Sequence, residues 1–333
     1  PADRRATSEH VAHWCECGES QRLCYRAFDD DSPAVGKLSF CSSDAIDQVG
    51  HALDADGSTL LVGGATPYAN SKHTQDKAVA YLVELDPSDV ATSEVVELRP
   101  EGGGDDFGVS VALDGSLAVV GATQVSRTGT NSKGQPHPKS GVTYLFRRTE
   151  QLEWEQVAQM TPQAPGGNYC GRESAILEDI IAFGCPGYGG GNGSVHVFQF
   201  DESDGELRPI SRLAPPMEKP HETRFGQGDI KLTSRHLLGG AMWHSDRDRK
   251  AGAAFEFQLD YASDARERLI SVERFRTLLP AESQARSNFG HQVAYVGGVR
   301  AVSAPHAKND KGQWNGAVYL FVDGEQVARL TPP

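Results

Sequence analysis

The chain has 333 residues, 36 of them glycine, and a net charge of −13. The length suits one large closed β domain and is ample for a core. The acidic balance argues against a nucleic-acid backbone or an anionic membrane as main partner. No apolar run approaches the about 20 residues that cross a bilayer, so no direct membrane insertion is expected.

Residues 1–47 hold four of the six cysteines and three short apolar stretches: HVAHW (10–14), CYRAF (24–28) and KLSFC (37–41). After them one pattern occurs five times. Val49-Gly50, Phe107-Gly108, Cys170-Gly171, Phe225-Gly226 and Phe289-Gly290 each lead into a small-residue apolar run. The runs are LDADGSTLLVGGAT, LDGSLAVVGAT, LEDIIAFGCP, LTSRHLLGGAM and VGGVRAVSAP. The five glycines lie 55 to 64 residues apart, a period that signals a repeat architecture.

Residues 107–162 are the clearest copy. FGVSVAL and SLAVVGA flank Asp114-Gly115, a strong hairpin signal, and predict strands a and b. A polar loop leads to GVTYLF (141–146), strand c, and a second turn to WEQVAQMTP (154–162), strand d. Strand c recurs as VAYLVEL (79–85), SVHVFQF (194–200), AAFEFQL (253–259) and AVYLFVD (317–323). Strand d recurs as VELRP (96–100), SRLAP (211–215), RTLLP (276–280) and ARLTP (328–332). Four antiparallel strands per repeat fit one blade of an all-β propeller, which must stack on its neighbours to bury both faces.

The Phe-Gly dipeptide, V-G-A-T/P, G-x-V-Y-L-F and L-T-P together resemble the FG-GAP repeats that build the propeller of integrin alpha chains and of many secreted or surface proteins. The resemblance covers roughly residues 48–333. It is closest in the second and fifth copies and departs from the family where Val49 and Cys170 replace Phe. It implies adhesion or recognition rather than catalysis.

The expected organisation is a single β-propeller over 1–333, with full blades at 48–100, 107–162, 170–215, 225–280 and 289–333. Residues 1–47 supply strands b, c and d of a sixth, partial blade. Five blades with an N-terminal extension, or seven, are the alternatives. The chain begins at Pro1 rather than Met and stops where another Phe-Gly strand would begin, so it is expected to be part of a larger protein.

Phe107 and Ala122 flank the Asp114-Gly115 turn symmetrically and so face each other; Cys170 and Cys185 hold the same two positions in the third copy. A disulfide is expected there. Cys15, Cys17, Cys24 and Cys41 allow either a Cys24–Cys41 bond across the c–d hairpin or crossed pairing; their spacing does not fit a zinc ribbon or finger. Disulfides place the chain in a secreted, extracellular or cell-surface location.

The b–c and d–a loops emerge at one end, and the b–c loops carry the unusual residues. Candidate ligand contacts are Tyr68, Arg127, Tyr188, Trp243, His244, Asp246, Arg247, His306, Asp310 and Trp314. Aromatics and arginine on loops are the residue types of recognition sites. The expected partner is a protein or a glycan on a cell surface or in extracellular matrix. The alternatives are a lectin using Trp243, Trp314 and Tyr188, and a carbohydrate-active enzyme using His244 with Asp246 or His306 with Asp310. No G-x-S-x-G, H-E-x-x-H, P-loop or Rossmann fingerprint supports catalysis, so no catalytic residue is named. No cofactor is expected. The candidate calcium ligands are Asp54 and Asp56, which lack the further oxygens a hard cation needs.

Overall fold

The computed structural model describes residues 23–24, 39–40, 49–64, 79–85, 94–101, 106–124, 140–161, 168–215, 222–262, 268–309 and 311–332. Among these the protein is all-β, with five four-stranded antiparallel sheets and one helical turn, α1 (Tyr188–Gly191). A two-stranded ribbon pairs β1 (Leu23–Cys24) with β2 (Ser39–Phe40), where the sequence places the N-terminal c–d hairpin. The expected strand at 10–14 and Cys15, Cys17 and Cys41 lie outside the described residues.

Sheet one is β3 (Val49–Asp56), β4 (Thr59–Gly64), β5 (Val79–Glu84) and β6 (Glu94–Leu98). Sheet two is β7 (Phe107–Asp114), β8 (Leu117–Ala122), β9 (Val142–Arg148) and β10 (Trp154–Met160). Sheet three is β11 (Ser174–Leu177), β12 (Ile180–Gly184), β13 (Val195–Asp201) and β14 (Glu206–Leu213). Sheet four is β15 (Ile230–Leu232), β16 (His236–Ala241), β17 (Ala253–Tyr261) and β18 (Leu269–Leu278). Sheet five is β19 (Val293–Val296), β20 (Val299–Ala304), β21 (Ala317–Val322) and β22 (Glu325–Leu330). Each is a meander in chain order a-b-c-d, and the a strands of successive sheets pack side by side.

The Phe-Gly motif has a backbone reason. Gly108 adopts φ 92°, a left-handed conformation that glycine takes without steric penalty. It forms a bulge: Phe107 pairs with Ala122, and regular pairing resumes at Ser110–Gly121. The two-residue loop is therefore Gly115–Ser116, because Asp114 pairs with Leu117. The Asp114-Gly115 turn expected from the sequence is thus shifted by one residue. The bulge restores the Phe107–Ala122 opposition that the symmetric count implied.

The bulge pushes the glycine carbonyl against the preceding sheet. A Cβ on Gly63, Gly121, Gly184 or Gly240 would lie 1.9–2.0 Å from the carbonyl oxygen of Gly108, Gly171, Gly226 or Gly290. Only glycine in strand b admits that oxygen. The glycine before strand c does the same for the preceding residue: Gly141, Gly193 and Gly252 bridge Cys170, Phe225 and Phe289.

The phenylalanine ring then falls on strand c of its own sheet. Phe107 meets Tyr144 and Phe146 edge-on, and Phe289 meets Tyr319 and Phe321, at centroid distances of 5.3–6.0 Å. Phe225 takes the same place over Phe255 and Phe257. Sheet three departs from this plan by a double exchange. Cys170 and Cys185 form a buried disulfide where sheets two, four and five have Phe and Ala, and Phe183 takes over the ring contacts from strand b. Phe183 stacks on His196 and Phe198, which stand where Tyr144 and Phe146 stand in sheet two.

Sheets four and five meet through charge as well as apolar packing. Glu256 is fully buried; its Oε1 accepts from Arg300 Nε at 2.9 Å, and its Oε2 pairs with Arg276 Nε at 2.9 Å. Removing one member of such a triad leaves an unmatched buried charge. Sheet five buries one face, with Tyr319 and Phe321, against sheet four. Its other face leaves Val318 and Val322 exposed, and Val296 is 76% exposed.

Two stability tests follow. Gly184→Ala should lower unfolding free energy by about 1–3 kcal/mol, as overpacking does. Ser303→Ala, at the same position of sheet five, should lose only the roughly 1 kcal/mol of its hydrogen bond from the Gln292 amide. Equal urea midpoints for Gly184→Ala and the wild type would mean the inter-sheet contact is loose. Separately, Cys185→Ala alone should cost about 3 kcal/mol, as a loop of this length predicts. The double variant Cys170→Phe, Cys185→Ala, which rebuilds the pair of sheet two, should recover part of that loss in the same melts.

Candidate functional site

Because every sheet is a four-strand meander, its a–b and c–d turns lie at one end, and its b–c loop and the d–a connection at the other. The second end is a hydrogen-bonded surface across sheets three to five. The amides of Gly187, Trp243 and His306, two or three residues past strand b in each sheet, donate to the carbonyls of Asn168, Thr223 and Ser287 at 2.9–3.1 Å. The amides of Thr223 and Arg224 also reach Gly191 O, and that of Arg286 reaches Arg249 O.

The residue before each Phe-Gly motif is left-handed without being glycine: Asp106 at φ 68°, Tyr169 at 52°, Arg224 at 54° and Asn288 at 55°. Asn and Asp tolerate this region; Tyr and Arg are strained in it, and strain of this kind collects at functional surfaces. The conformation turns three of these side chains onto the b–c loop of their own sheet. Asp106 accepts from the Thr123 hydroxyl, Arg224 lies over Trp243, and Asn288 Nδ2 lies 3.1 Å from His306 Nδ1.

Tyr188, Trp243, His244, Asp246, Arg247, His306 and Trp314 occupy the b–c loops of sheets three, four and five. Tyr68, Arg127 and Asp310 lie outside the described residues. The candidates play different roles. His244 is buried, with its Nε2 2.9 Å from Asp246 Oδ2 and its ring edge-on to Phe255. The expected His244–Asp246 pair therefore exists, but its imidazole is set in the core behind the loop. Arg247 donates to Pro280 O at 2.9 Å and ties the loop to the next connection.

The aromatic rings are covered by cations. Arg212 lies 4.8 Å from the Tyr188 centroid and also bonds its hydroxyl. Arg224 and Lys250 lie 4.8 Å and 3.5 Å from the Trp243 ring. Lys308 lies 4.5 Å from the Trp314 ring, which is 57% exposed. Lys250 and Lys308 share a b–c loop with the ring they cover, whereas Arg212 and Arg224 belong to strand d and the d–a connection and are not legible from the loops that carry the rings.

Asp54 and Asp56 are inter-sheet clamps. Asp54 Oδ2 accepts from Leu113 N and Asp56 Oδ2 from Gly115 N, both at 2.8 Å, and Asp114 Oδ2 repeats the contact with Glu178 N at 2.6 Å. No group of three or more His, Cys, Asp or Glu side chains suited to a metal occurs among the described residues.

The a strands enclose a central cavity of about 660 Å³. Where sheet two has Val109 and Ser110 after its Phe-Gly motif, sheet three has Arg172 and Glu173, and sheet five has His291 and Gln292. Asp229 and Lys231 of sheet four complete this polar lining, paired at 3.4 Å. Large polar residues at positions otherwise held by small ones were the signal in the sequence. Burial raises the Glu173 carboxyl from 4.5 to about 8; Asp229 adds to the shift, and Arg172 and Lys231 oppose it. Burial also raises Asp229, against Lys231, and lowers His291. At neutral pH the Glu173 carboxyl is therefore mostly protonated.

This gives a pH test. The folded state favours protonated Glu173, so its contribution is complete below about pH 4.5 and is lost as pH rises towards 8. Glu173→Gln should flatten the fall in stability between pH 5 and pH 9 and make the chain more stable than wild type at pH 9. Parallel pH profiles in urea melts would show that the carboxyl ionises freely.

No helix among the described residues is long and apolar enough to cross a membrane. A search of curated proteins gives no significant match. Residues 98–146, from the end of β6 through strand c of sheet two, match the family model described as FG-GAP repeat; the chain carries an FG-GAP repeat, and the Phe107-Gly108 bulge lies within it.

Proposed function

We propose that this chain is an extracellular β-propeller recognition module that binds its partner through the b–c and d–a loop face. The observation that carries this reading is the continuous loop surface of sheets three to five, built on rigid sheets and bordered by strained left-handed residues. The FG-GAP match supports a propeller-type module, and the Cys170–Cys185 bond supports an oxidising compartment. The five sheets are blades, and residues 1–47 complete a sixth between sheets five and one. The exposed apolar face of sheet five supports this closure, as does exposed Leu53 on β3. The partner is a protein or glycan of a cell surface or matrix.

The test is a steric block at either end of the sheets. A polyethylene glycol chain is attached through maleimide at Arg249→Cys on the loop face, or at Glu150→Cys in the c–d turn of sheet two. Binding to a panel of matrix proteins and immobilised glycans should fall at least tenfold for the first and stay unchanged for the second. Equal binding by both labelled chains would remove the loop face from the reading.

A further inference from the structure

Charge is unevenly divided between the two ends of the sheets. The a–b and c–d turns are rich in acids, among them Asp114, Glu178, Asp179, Asp201 and Glu202, which line a cavity of about 920 Å³ together with Arg208 and Arg268. At the other end of sheets three to five stand Arg224, Arg249, Lys250, Arg286, Lys308 and Lys311. Of the described acids on this side, Glu222 sits 3.7 Å from Arg224 and Asp246 is held by His244; Asp248 and Glu282 are outnumbered by the described cations.

We propose that the loop face of sheets three to five binds an anionic polysaccharide, along a lane of cations positioned by Trp243 and Trp314. This rests on the loop-face reading and names the chemistry of its partner. A neutral sugar stacks on a bare ring face, whereas each described ring among the candidates already carries a cation at 3.5–4.8 Å. A cation lodged on a ring keeps its charge while losing rotamer freedom, so it meets an anion pre-organised.

The net charge of −13 does not oppose this. Strands of about six residues separate the two ends by about 20 Å. That is more than two Debye lengths at physiological ionic strength, roughly 8 Å each. The acidic turns are therefore screened from a ligand on the loop face. A polysaccharide fits better than an acidic protein because this face offers little apolar anchorage. Val296, Val318, Val322 and Leu53 are exposed on sheet faces and turns elsewhere, and the described loops leave chiefly Tyr169 and Trp314 as exposed rings.

The experiment measures binding of the intact, non-reduced chain to dextran sulfate, to neutral dextran and to a poly-glutamate peptide across a salt series. The expected result is binding to dextran sulfate alone, weakening steadily with salt. The triple variant Arg224→Gln, Lys250→Gln, Lys308→Gln should bind about a hundredfold more weakly, at roughly fivefold per cation near an anionic surface. A single Lys311→Gln change, on an exposed side chain with no ring partner, guards against misfolding of the triple variant and should lose several-fold. The control Arg208→Gln, Arg235→Gln, at the turn end, should bind as wild type. Equal affinity for poly-glutamate overturns the proposal in favour of an acidic protein, and loss in the turn-end control overturns it in favour of diffuse charge. Absence of dextran sulfate binding overturns it too. If the block at Arg249 still abolishes capture by the matrix panel, the loop-face reading survives that failure; if it does not, both fall.

Discussion

One contact sets the geometry of this protein: a glycine carbonyl oxygen lodged where the strand-b glycine of the preceding sheet has no side chain. It recurs between sheets one and two, two and three, three and four, and four and five. The left-handed glycine and its bulge bring the oxygen there, and the strand-b glycine makes the space. Once the approach is fixed, so is the offset of one sheet against the next. The Phe ring drops onto strand c because its own backbone is held by the glycine before the strand c of the preceding sheet. The motif is thus a backbone device first and an aromatic core second. Sheet three makes the same point: it replaces the aromatic with a disulfide and keeps Gly171 and Gly184.

A rigid offset between sheets gives their two ends separate chemistries. At the turn end, carboxylates of one sheet accept amides of the next, so acids are retained there for structural reasons. At the loop end, amides and carbonyls of successive connections satisfy one another, which leaves side chains free to vary. Burial governs which of those side chains can meet a ligand. His244 and Trp243 are neighbours in sequence, yet one is sunk against Phe255 and the other is partly exposed under two cations.

The repeat, the c strands and the disulfide were legible because each depends on position along one chain segment. Cys170 and Cys185 were found by aligning copies, and that logic survived an error in the turn because the bulge cancelled it. What stayed hidden depends on segments meeting across the fold. The cations over Tyr188 and Trp243 include residues from strand d or the d–a connection, so a survey of b–c loops alone found rings without their partners. The cavity residues Arg172, Glu173, Asp229 and Lys231 lie in or just before the short a strands β11 and β15, where alternation suggests packing rather than chemistry. His244 is a candidate ligand contact by its place in a loop, but loop membership says nothing about depth, and the side chain is buried.

The same contact accounts for where the glycine pattern stops. Strand b of sheet five has Ser303 where the other sheets have Gly63, Gly121, Gly184 and Gly240. Its hydroxyl accepts the Gln292 amide within its own sheet, so the side chain is in use. Among the described residues no Phe-Gly strand is packed on β20 in the way β7 is packed on β4. The steric demand for glycine is lifted there, and the outer face of sheet five shows the apolar side chains that inner sheets bury. A closing element for that face need not bring a Phe-Gly bulge with it. Under the proposed six-blade arrangement this is the face assigned to residues 1–47, whose sequence has counterparts of strands b, c and d but not of strand a.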